Sequence, residues 1–205
     1  MSVIAHVKTP DGFVVAADGP GLPVDSNGST VRKALVRLVA PAVNLVSGWT
    51  GVTRIPCEEG TFDLIAQTEL IGDMLSSEQS GAAFISKLFE ELRSRFDDEL
   101  RIVFRSGSSK GLFVGYVSNE SSGKWEPACW VWNLKNDGDP EQRPTVDGYQ
   151  ITAGPSDLFS GLRLPKPATL QDGEDGLRLY VETCLKEPSE RGGKLQIVTL
   201  PQPLD

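Results

Sequence analysis

Histidine is almost missing from this sequence, since His6 is the only one in 205 residues. A Ser-His-Asp triad takes its base from an imidazole, and His6 lies on the first predicted strand, which makes such a triad improbable. The Walker A and H-E-x-x-H motifs are absent too. A nucleophile in this chain therefore needs another activating group, either a lysine or the chain's own α-amino group.

Cysteine is scarce and scattered. The three cysteines are far apart and odd in number, at Cys57, Cys129 and Cys184, and no C-x-x-C pair exists. These spacings argue against a thiolate zinc site and against a disulfide framework. We expect reduced thiols and a cytoplasmic protein.

Basic charge and long apolar runs are also limited. Lys and Arg number 20 against 28 Asp and Glu, which gives a formal net charge of −8. Nucleic acid and anionic membranes carry the same sign of charge, so neither is an expected partner. No apolar run approaches the roughly 18 residues that a membrane span needs. The N-terminus lacks the basic and apolar regions of a signal peptide.

The length and the 39% hydrophobic content suggest a single domain over residues 1–205. Apolar runs bounded by turn residues predict strands over residues 3–7, 13–17, 34–39, 42–46, 111–117, 128–132, 149–152 and 194–200. The main predicted helices cluster between these strands instead of alternating with them. We therefore expect an α+β fold with layered sheets.

Four helical segments are predicted between these strands. The first is capped by Thr61. The second has apolar residues at three- and four-residue spacing over residues 84–96, with charged residues between them that mark a solvated face. A short helix over residues 155–162 and a last helix over residues 177–185 follow.

The N-terminus offers an activating group of its own. An α-amine has a pKa of about 7.7–8.0, so a useful fraction is unprotonated at neutral pH and can accept a proton. Ser2 becomes the chain terminus if Met1 is trimmed, and a small residue at position 2 permits that trimming. Ser2 is then a candidate nucleophile that carries its own base.

Four features occur in order along the first 51 residues. Ser2 opens the first strand, and an apolar second strand ends in Ala-Ala-Asp at Asp18. Lys33 follows in a basic, apolar segment, and residues 48–51 form a glycine-containing turn. This order resembles that of proteasome β-subunits and the related bacterial heat-shock peptidase, which are N-terminal-nucleophile hydrolases. The later strand over residues 111–117 and the order of elements are also similar to that family.

The resemblance implies a four-layer αββα sandwich and assigns roles to the matching residues. Ser2 would be the nucleophile, and the Asp18 carboxylate would hold the Lys33 ammonium through a charge-assisted hydrogen bond. Lys33 would either favour a deprotonated Ser2 hydroxyl through its charge or take part in the proton transfer. The Gly51 N–H would stabilise the tetrahedral oxyanion.

The two residues before Gly51 have an expected place as well. On the same resemblance, Trp49 and Thr50 would line the pocket for the substrate residue that precedes the cut. The alternative for Trp49 is an aromatic packed in the core. His6 is expected to be a satisfied strand residue and not a catalyst.

The resemblance implies an endopeptidase that cleaves unfolded polypeptide or peptide inside a ring of like subunits, and it allows an ATPase unfoldase as a partner. This chemistry needs no metal ion and no organic cofactor. Two alternatives stay open: a catalytically inactive scaffold subunit, and an amidase that hydrolyses small amides. Ser2 stands where the family has threonine and Ala153 where it has serine, and both departures favour the scaffold.

Overall fold

The computed structural model describes residues 3–19, 34–57, 60–136, 138–186 and 194–204. The chain divides into two compact units, Met1–Leu35 with Val146–Pro201 and Val36–Thr145 with Gln202–Asp205. Each unit has its own sheet and its own helices. The prediction of a single domain over residues 1–205 stays a prediction.

Strands and helices follow one another along the described residues in this order: β1 (Ile4–Thr9), β2 (Gly12–Gly19), β3 (Leu35–Ala40), β4 (Val43–Thr50), β5 (Arg54–Cys57), β6 (Gly60–Asp63), α1 (Leu64–Met74), α2 (Gly81–Ser94), α3 (Asp98–Ser106), β7 (Lys110–Ser118), β8 (Trp125–Asn133), a 3₁₀ turn (Leu134–Asn136), β9 (Glu141–Gln142), β10 (Gly148–Ala153), α4 (Ser156–Leu162), α5 (Leu170–Lys186) and β11 (Lys194–Pro201).

The first unit contains a four-stranded antiparallel sheet in the order β10-β1-β2-β11. β1 and β2 form a hairpin, and its turn is stabilised by the Asp11 N–H, which donates to Thr9 Oγ1 at 3.2 Å. Gly12 follows with a φ of 150°, a conformation that favours glycine. The hairpin brings the beginning of β1 next to the end of β2.

Helix α5 packs on one face of this sheet. Gly173 allows the close approach, because a Cβ at that position would lie 2.8 Å from Val7 Cγ1. The residues that share this core are Val3, Ala5, Val7, Val14 and Ala16 from the strands and Leu177, Tyr180 and Val181 from the helix. Burial of their apolar surface is the main force that holds α5 against the sheet.

The second unit contains a five-stranded antiparallel sheet in the order β3-β4-β7-β8-β9, together with the β5-β6 hairpin. Helix α2 begins at its cap Ser80, whose Oγ accepts the Ala83 N–H at 3.1 Å. The helix buries its apolar stripe in the core of the unit through Phe84, Ile85, Leu88 and Leu92.

The structure confirms the predicted strands and the α+β class. All eight predicted strands are present, and the helices over residues 84–96, 155–162 and 177–185 correspond to α2, α4 and α5. The apolar pattern of each segment was strong enough to predict its type, although the observed helix ends differ from the predicted ends by several residues. In the ranges that the structure describes, no helix has the length and apolar character to cross a bilayer.

The predicted helix cap at Thr61 is wrong. Thr61 lies in β6, and the cap of α1 is Asp63, whose Oδ1 accepts the N–H groups of Ile65 at 3.0 Å and Ala66 at 3.2 Å. Both residue types are good caps. Pairing of Ile55 with Phe62 and of Arg54 with Asp63 extends the strand past Thr61, so the helix begins later.

Helix α3 was not predicted. It is nine residues long, and only Leu100 and Phe104 in it are buried. The other positions include four charged residues, and two buried apolar residues four apart were too few to mark a helix. Asp97 caps it by accepting the Leu100 N–H at 2.8 Å.

Candidate active site

Asp18, near the end of β2, is tied to the residue that precedes β1. Asp18 Oδ1 accepts a hydrogen bond from the Val3 N–H at 2.5 Å, and the Asp18 N–H donates to the Val3 carbonyl oxygen at 3.1 Å. The strand register leads to this pairing, since Ile4 lies opposite Ala17. The two bonds attach the backbone that directly follows Ser2 to the Asp18 side chain and backbone.

The Asp18 carboxyl has an unusual acidity. Burial raises its pKa to about 6, although the hydrogen bond from Val3 acts in the opposite direction. A carboxyl group with this pKa is mostly ionised at neutral pH and takes up a proton in mildly acidic solution. Asp18 can therefore act as an anion toward a donor or a cation near the start of β1.

Gln196 in β11 fixes the chain at Ala34. Gln196 Oε1 accepts the Ala34 N–H at 2.7 Å, and Gln196 lies opposite Ala17 in the pairing of β11 with β2. Leu195 is the residue opposite Asp18 in the same pairing. Ala34 is therefore held next to the part of the sheet that carries Asp18.

Ser2 and Lys33 lie outside the described residues, so their predicted roles stay predictions. Each is nevertheless bonded to a residue with a defined place. The carbonyl carbon of Ser2 is bonded to the Val3 nitrogen, and that of Lys33 is bonded to the Ala34 nitrogen. Asp18, the third predicted residue in this unit, lies beside Val3 as described above.

Gly51 follows β4 in the second unit and occupies a turn that requires glycine. Its φ is +81°, and a Cβ there would lie 2.8 Å from the Gly107 carbonyl oxygen and 2.8 Å from Ser109 Cα. Gly51 is exposed, and none of the hydrogen bonds among the described residues uses its N–H. The backbone is thus held in a left-handed conformation with an available donor.

The Gly51 turn is fixed from behind by the turn between α3 and β7. Ser109 is fully buried, and its Oγ donates to the Val52 carbonyl oxygen at 2.6 Å. Gly107 allows the contact, because a Cβ there would lie 2.5 Å from Val52 Cγ2. The sequence gives no signal for these two residues, since a Ser-Gly-Ser-Ser run has the composition of an ordinary polar turn.

Trp49 lies in the core of the second unit and is 4% exposed. Its indole Nε1–H donates to Thr68 Oγ1 at 2.9 Å, and its ring meets Phe113 edge to face with 5.6 Å between centroids. This position corresponds to the core alternative for Trp49. Thr50 is 6% exposed, so the side chains of Trp49 and Thr50 are both largely buried within the second unit.

His6 is buried on β1, at 3% exposure, and its Nδ1 has no hydrogen-bond partner within the described ranges. Burial lowers the pKa of the ring to about 4, so the imidazole is neutral at physiological pH. His6 is a buried strand residue, as predicted. Its Nδ1 lacks the hydrogen-bond partner that was expected. Across the residues that the structure places, no three His, Cys, Asp or Glu side chains group as metal ligands would.

Comparison with solved structures gives the fold. An Anbu protein (ancestral β-subunit) from Yersinia bercovieri matches with a TM-score of 0.59 and 13% identity, over 97% of this chain and 80% of that chain. The Anbu complex from Pseudomonas aeruginosa, described as a helical assembly, matches with a TM-score of 0.61 and 12% identity, over 97% and 84%. HslV from Trypanosoma brucei matches with a TM-score of 0.55 and 14% identity, over 98% and 100%.

This chain has the fold of a proteasome-like subunit. The resemblance read from the first 51 residues is therefore confirmed at the level of the fold. No family model matches the sequence, and neither does any curated protein sequence. At these identities the likeness carries the proteasome-like fold alone, and activity has to be argued from the chain's own residues.

The Gly51 turn yields a stability prediction with a matched control. We expect Gly51→Ala to destabilise the protein by at least about 1 kcal/mol more than Gly123→Ala. Gly123 has a similar φ of +68°, but a Cβ there would meet nothing within 4 Å. Both variants therefore place alanine at a positive φ that favours glycine. Only Gly51→Ala also makes a Cβ clash with the backbone of Gly107 and Ser109. Urea unfolding of both variants measures the difference, and equal losses would mean that the Gly51 turn is not tightly packed.

The shifted pKa values of Asp18 and His6 should make the free energy of unfolding depend on pH in opposite directions. The folded-state pKa of His6 is lowered to about 4, so the unfolded chain takes the proton first and stability falls from about pH 6.5 toward pH 4, by about 3 kcal/mol. The folded-state pKa of Asp18 is raised to about 6, so the folded chain takes the proton first and stability rises as pH falls from about 6 toward 4.

Single substitutions separate these two contributions. In Asp18→Asn, the amide oxygen can still accept the Val3 N–H, and we expect a steeper loss of stability between pH 7 and pH 4.5 than in the wild type. In His6→Gln we expect a shallower loss or a gain. Urea midpoints at the two pH values measure both slopes. An Asp18→Asn slope equal to the wild-type slope would show that the Asp18 pKa is not raised.

Proposed function

We propose that this chain is the subunit of a proteasome-like endopeptidase in which Ser2, exposed by removal of Met1, is the nucleophile. The observation that carries this proposal is the hydrogen bond from the Val3 N–H to Asp18 Oδ1 at 2.5 Å. Ser2 is bonded to Val3 through its carbonyl carbon, and we propose that its hydroxyl and α-amine act beside Asp18. A half-buried acidic group is thus hydrogen-bonded to the residue that follows the proposed nucleophile.

Lys33 is the proposed partner of the Asp18 carboxylate. Its neighbour Ala34 is held by Gln196 Oε1 at 2.7 Å, and Gln196 lies opposite Ala17, the residue before Asp18. We propose that the Lys33 side chain extends from this point to the Asp18 carboxylate. The ammonium would lower the pKa of Asp18, and it would favour loss of the proton from the Ser2 hydroxyl.

The proposed reaction uses no group besides the chain and water. Ser2 Oγ forms a bond to the carbonyl carbon of the substrate, and the Ser2 α-amine accepts the Oγ proton through a water molecule. The tetrahedral intermediate collapses, the C–N bond breaks, and the leaving amine takes the proton from the α-ammonium. Water then hydrolyses the Ser2 ester with the same base, which releases the acid product and restores Ser2.

Gly51 is the proposed donor to the oxyanion of the tetrahedral intermediate. Its exposed position, its left-handed φ of +81° and the tight packing against Gly107 and Ser109 suit a donor that must keep its direction during the reaction. Glycine also lets a substrate backbone approach closely. Thr50 and Trp49, which precede Gly51, are proposed to border the substrate pocket, with Trp49 acting from the core by fixing the turn.

The proposal includes assembly with like subunits. The Pseudomonas aeruginosa Anbu structure is a helical assembly, which supports association of chains with this fold, and we propose a ring of like subunits that encloses the sites in the cytoplasm. Unfolded polypeptide would be the substrate, with an ATPase unfoldase as a partner. The four-layer αββα arrangement of the subunit belongs to the same proposal.

One observation favours a second function, a catalytically inactive scaffold subunit. Ala153 lies opposite Ile4, directly after a β-bulge and directly before Gly154. A serine at this place would supply a hydroxyl near the beginning of β1, and alanine cannot. The scaffold would keep the fold and the assembly without turnover.

Substitution of Ser2 distinguishes these functions. We expect Ser2→Ala to reduce hydrolysis of fluorogenic peptides by about 1,000-fold or more, since the nucleophilic oxygen is lost. Ser2→Thr should retain activity because it keeps a terminal hydroxyl and amine. Lys33→Ala should also abolish turnover.

Lys8→Ala is the matched control for Lys33→Ala. Lys8 lies on the same sheet and pairs with Asp147 at 2.6 Å, away from the beginning of β1, so its loss should leave the rate unchanged. Native turnover in Ser2→Ala would disprove the mechanism. A wild-type protein without turnover, with Met1 removed, would favour the scaffold.

A further inference from the structure

Tyr180 on α5 carries a hydroxyl that packing alone does not require. The side chain is fully buried in the core between α5 and the sheet of the first unit. Phe159 holds its ring edge to face, with 5.1 Å between centroids. The hydroxyl donates to the Pro155 carbonyl oxygen at 3.4 Å, which is long for a hydrogen bond between oxygens. A phenylalanine would fill the same space without the cost of burying a hydroxyl.

Gly154 opens the space into which this hydroxyl projects. A Cβ at Gly154 would lie 2.5 Å from Tyr180 Oη and 3.3 Å from Val3 Cγ1. The φ of Gly154 is +131°, a conformation that favours glycine on its own account. Tyr180 Oη and the Val3 side chain therefore pack against the same backbone atoms, at the point where β10 ends beside β1.

The electrostatic surroundings connect Tyr180 to Asp18. Burial raises the pKa of the phenol, and Cys184 on the next turn of α5 and the Asp18 carboxylate raise it further. The phenol thus stays protonated and uncharged near the half-buried Asp18 carboxyl. Val3, which donates to Asp18 Oδ1, lies between the two through its contact with Gly154.

We propose that Tyr180 is a positioning residue: its hydroxyl, seated against Gly154, fixes Val3 and the Asp18 carboxylate and so orients the residue bonded to Val3. The catalytic consequence of this inference rests on the proposed function, in which that residue is Ser2. Its structural part does not, because it concerns only Tyr180, Gly154, Val3 and Asp18.

The test compares Tyr180→Phe with Tyr149→Phe. Tyr149 lies on β10 in the same unit, and its hydroxyl donates to the Asp172 carbonyl oxygen on α5 at 3.2 Å. It pairs with Val7, well along β1 from Val3. Each substitution removes one hydroxyl from the same helix–sheet interface, and only Tyr180→Phe removes it beside the Val3–Asp18 pair.

The first readout is the pKa of Asp18, measured by carboxyl ¹³C NMR in the full-length protein. The hydrogen bond from Val3 lowers the pKa of Asp18, and loss of the Tyr180 hydroxyl should loosen Val3. We therefore expect the Asp18 pKa to rise by about 0.5 or more in Tyr180→Phe and to stay at its wild-type value in Tyr149→Phe. A Tyr180→Phe variant that shows a cooperative thermal unfolding transition, and is therefore folded, but has an unchanged Asp18 pKa would overturn the inference. Equal shifts in the two variants would overturn it as well.

The second readout is the pH profile of peptide hydrolysis. If the proposed function holds, the acid limb of kcat should move to higher pH in Tyr180→Phe together with the Asp18 pKa, and KM should change little. A shifted Asp18 pKa in a protein that hydrolyses no peptide would support the positioning role and reject the peptidase. Normal hydrolysis with unchanged Asp18 titration in Tyr180→Phe would reject the positioning role and keep the peptidase.

Discussion

The pairing of Val3 with Asp18 is the constraint on which the first unit's site depends. Two hydrogen bonds tie the start of β1 to the end of β2, and they form because the hairpin sets the register several residues away. Burial makes this pairing electrostatically sensitive, since it raises the pKa of the carboxyl toward neutrality. Helix α5 packs against the Val3 side chain, and Gly154 leaves space for Tyr180 of that helix beside Val3. A substitution that moves the β1–β2 register would therefore disturb every proposed function of Asp18.

In the second unit, the proposed role of Gly51 as oxyanion donor requires a backbone N–H that is held in a fixed direction. A left-handed turn at Gly51 costs conformational freedom, and tight packing against Gly107 and Ser109 prevents it from relaxing. Trp49 contributes from the core, where its indole is bonded to Thr68. Such rigidity suits a group whose task is to stabilise charge that appears only during a reaction, because reorganisation at that moment would weaken the effect.

Sequence patterns predicted the strands and the α+β class because burial imposes a period on each element, as in β2 and α2. They missed α3, where Leu100 and Phe104 alone are buried, and misplaced a cap, since strand pairing and not cap preference decides where α1 begins. In the candidate site, an Asp that ends an apolar strand could be found from its position. The hydroxyl of Tyr180 could not, because its position depends on Gly154, which is distant in sequence and near only in the fold.

The most direct test of the central claim, that Ser2 is a free N-terminal nucleophile, is an intact mass of the purified protein before and after treatment with a peptide epoxyketone. This reagent closes a ring with a terminal hydroxyl and the amine of the same residue, so it reports both groups at once. The account predicts that Met1 is absent and that each chain gains the mass of one inhibitor, with no gain in Ser2→Ala. A chain that retains Met1, or that lacks Met1 and gains no inhibitor, would contradict it.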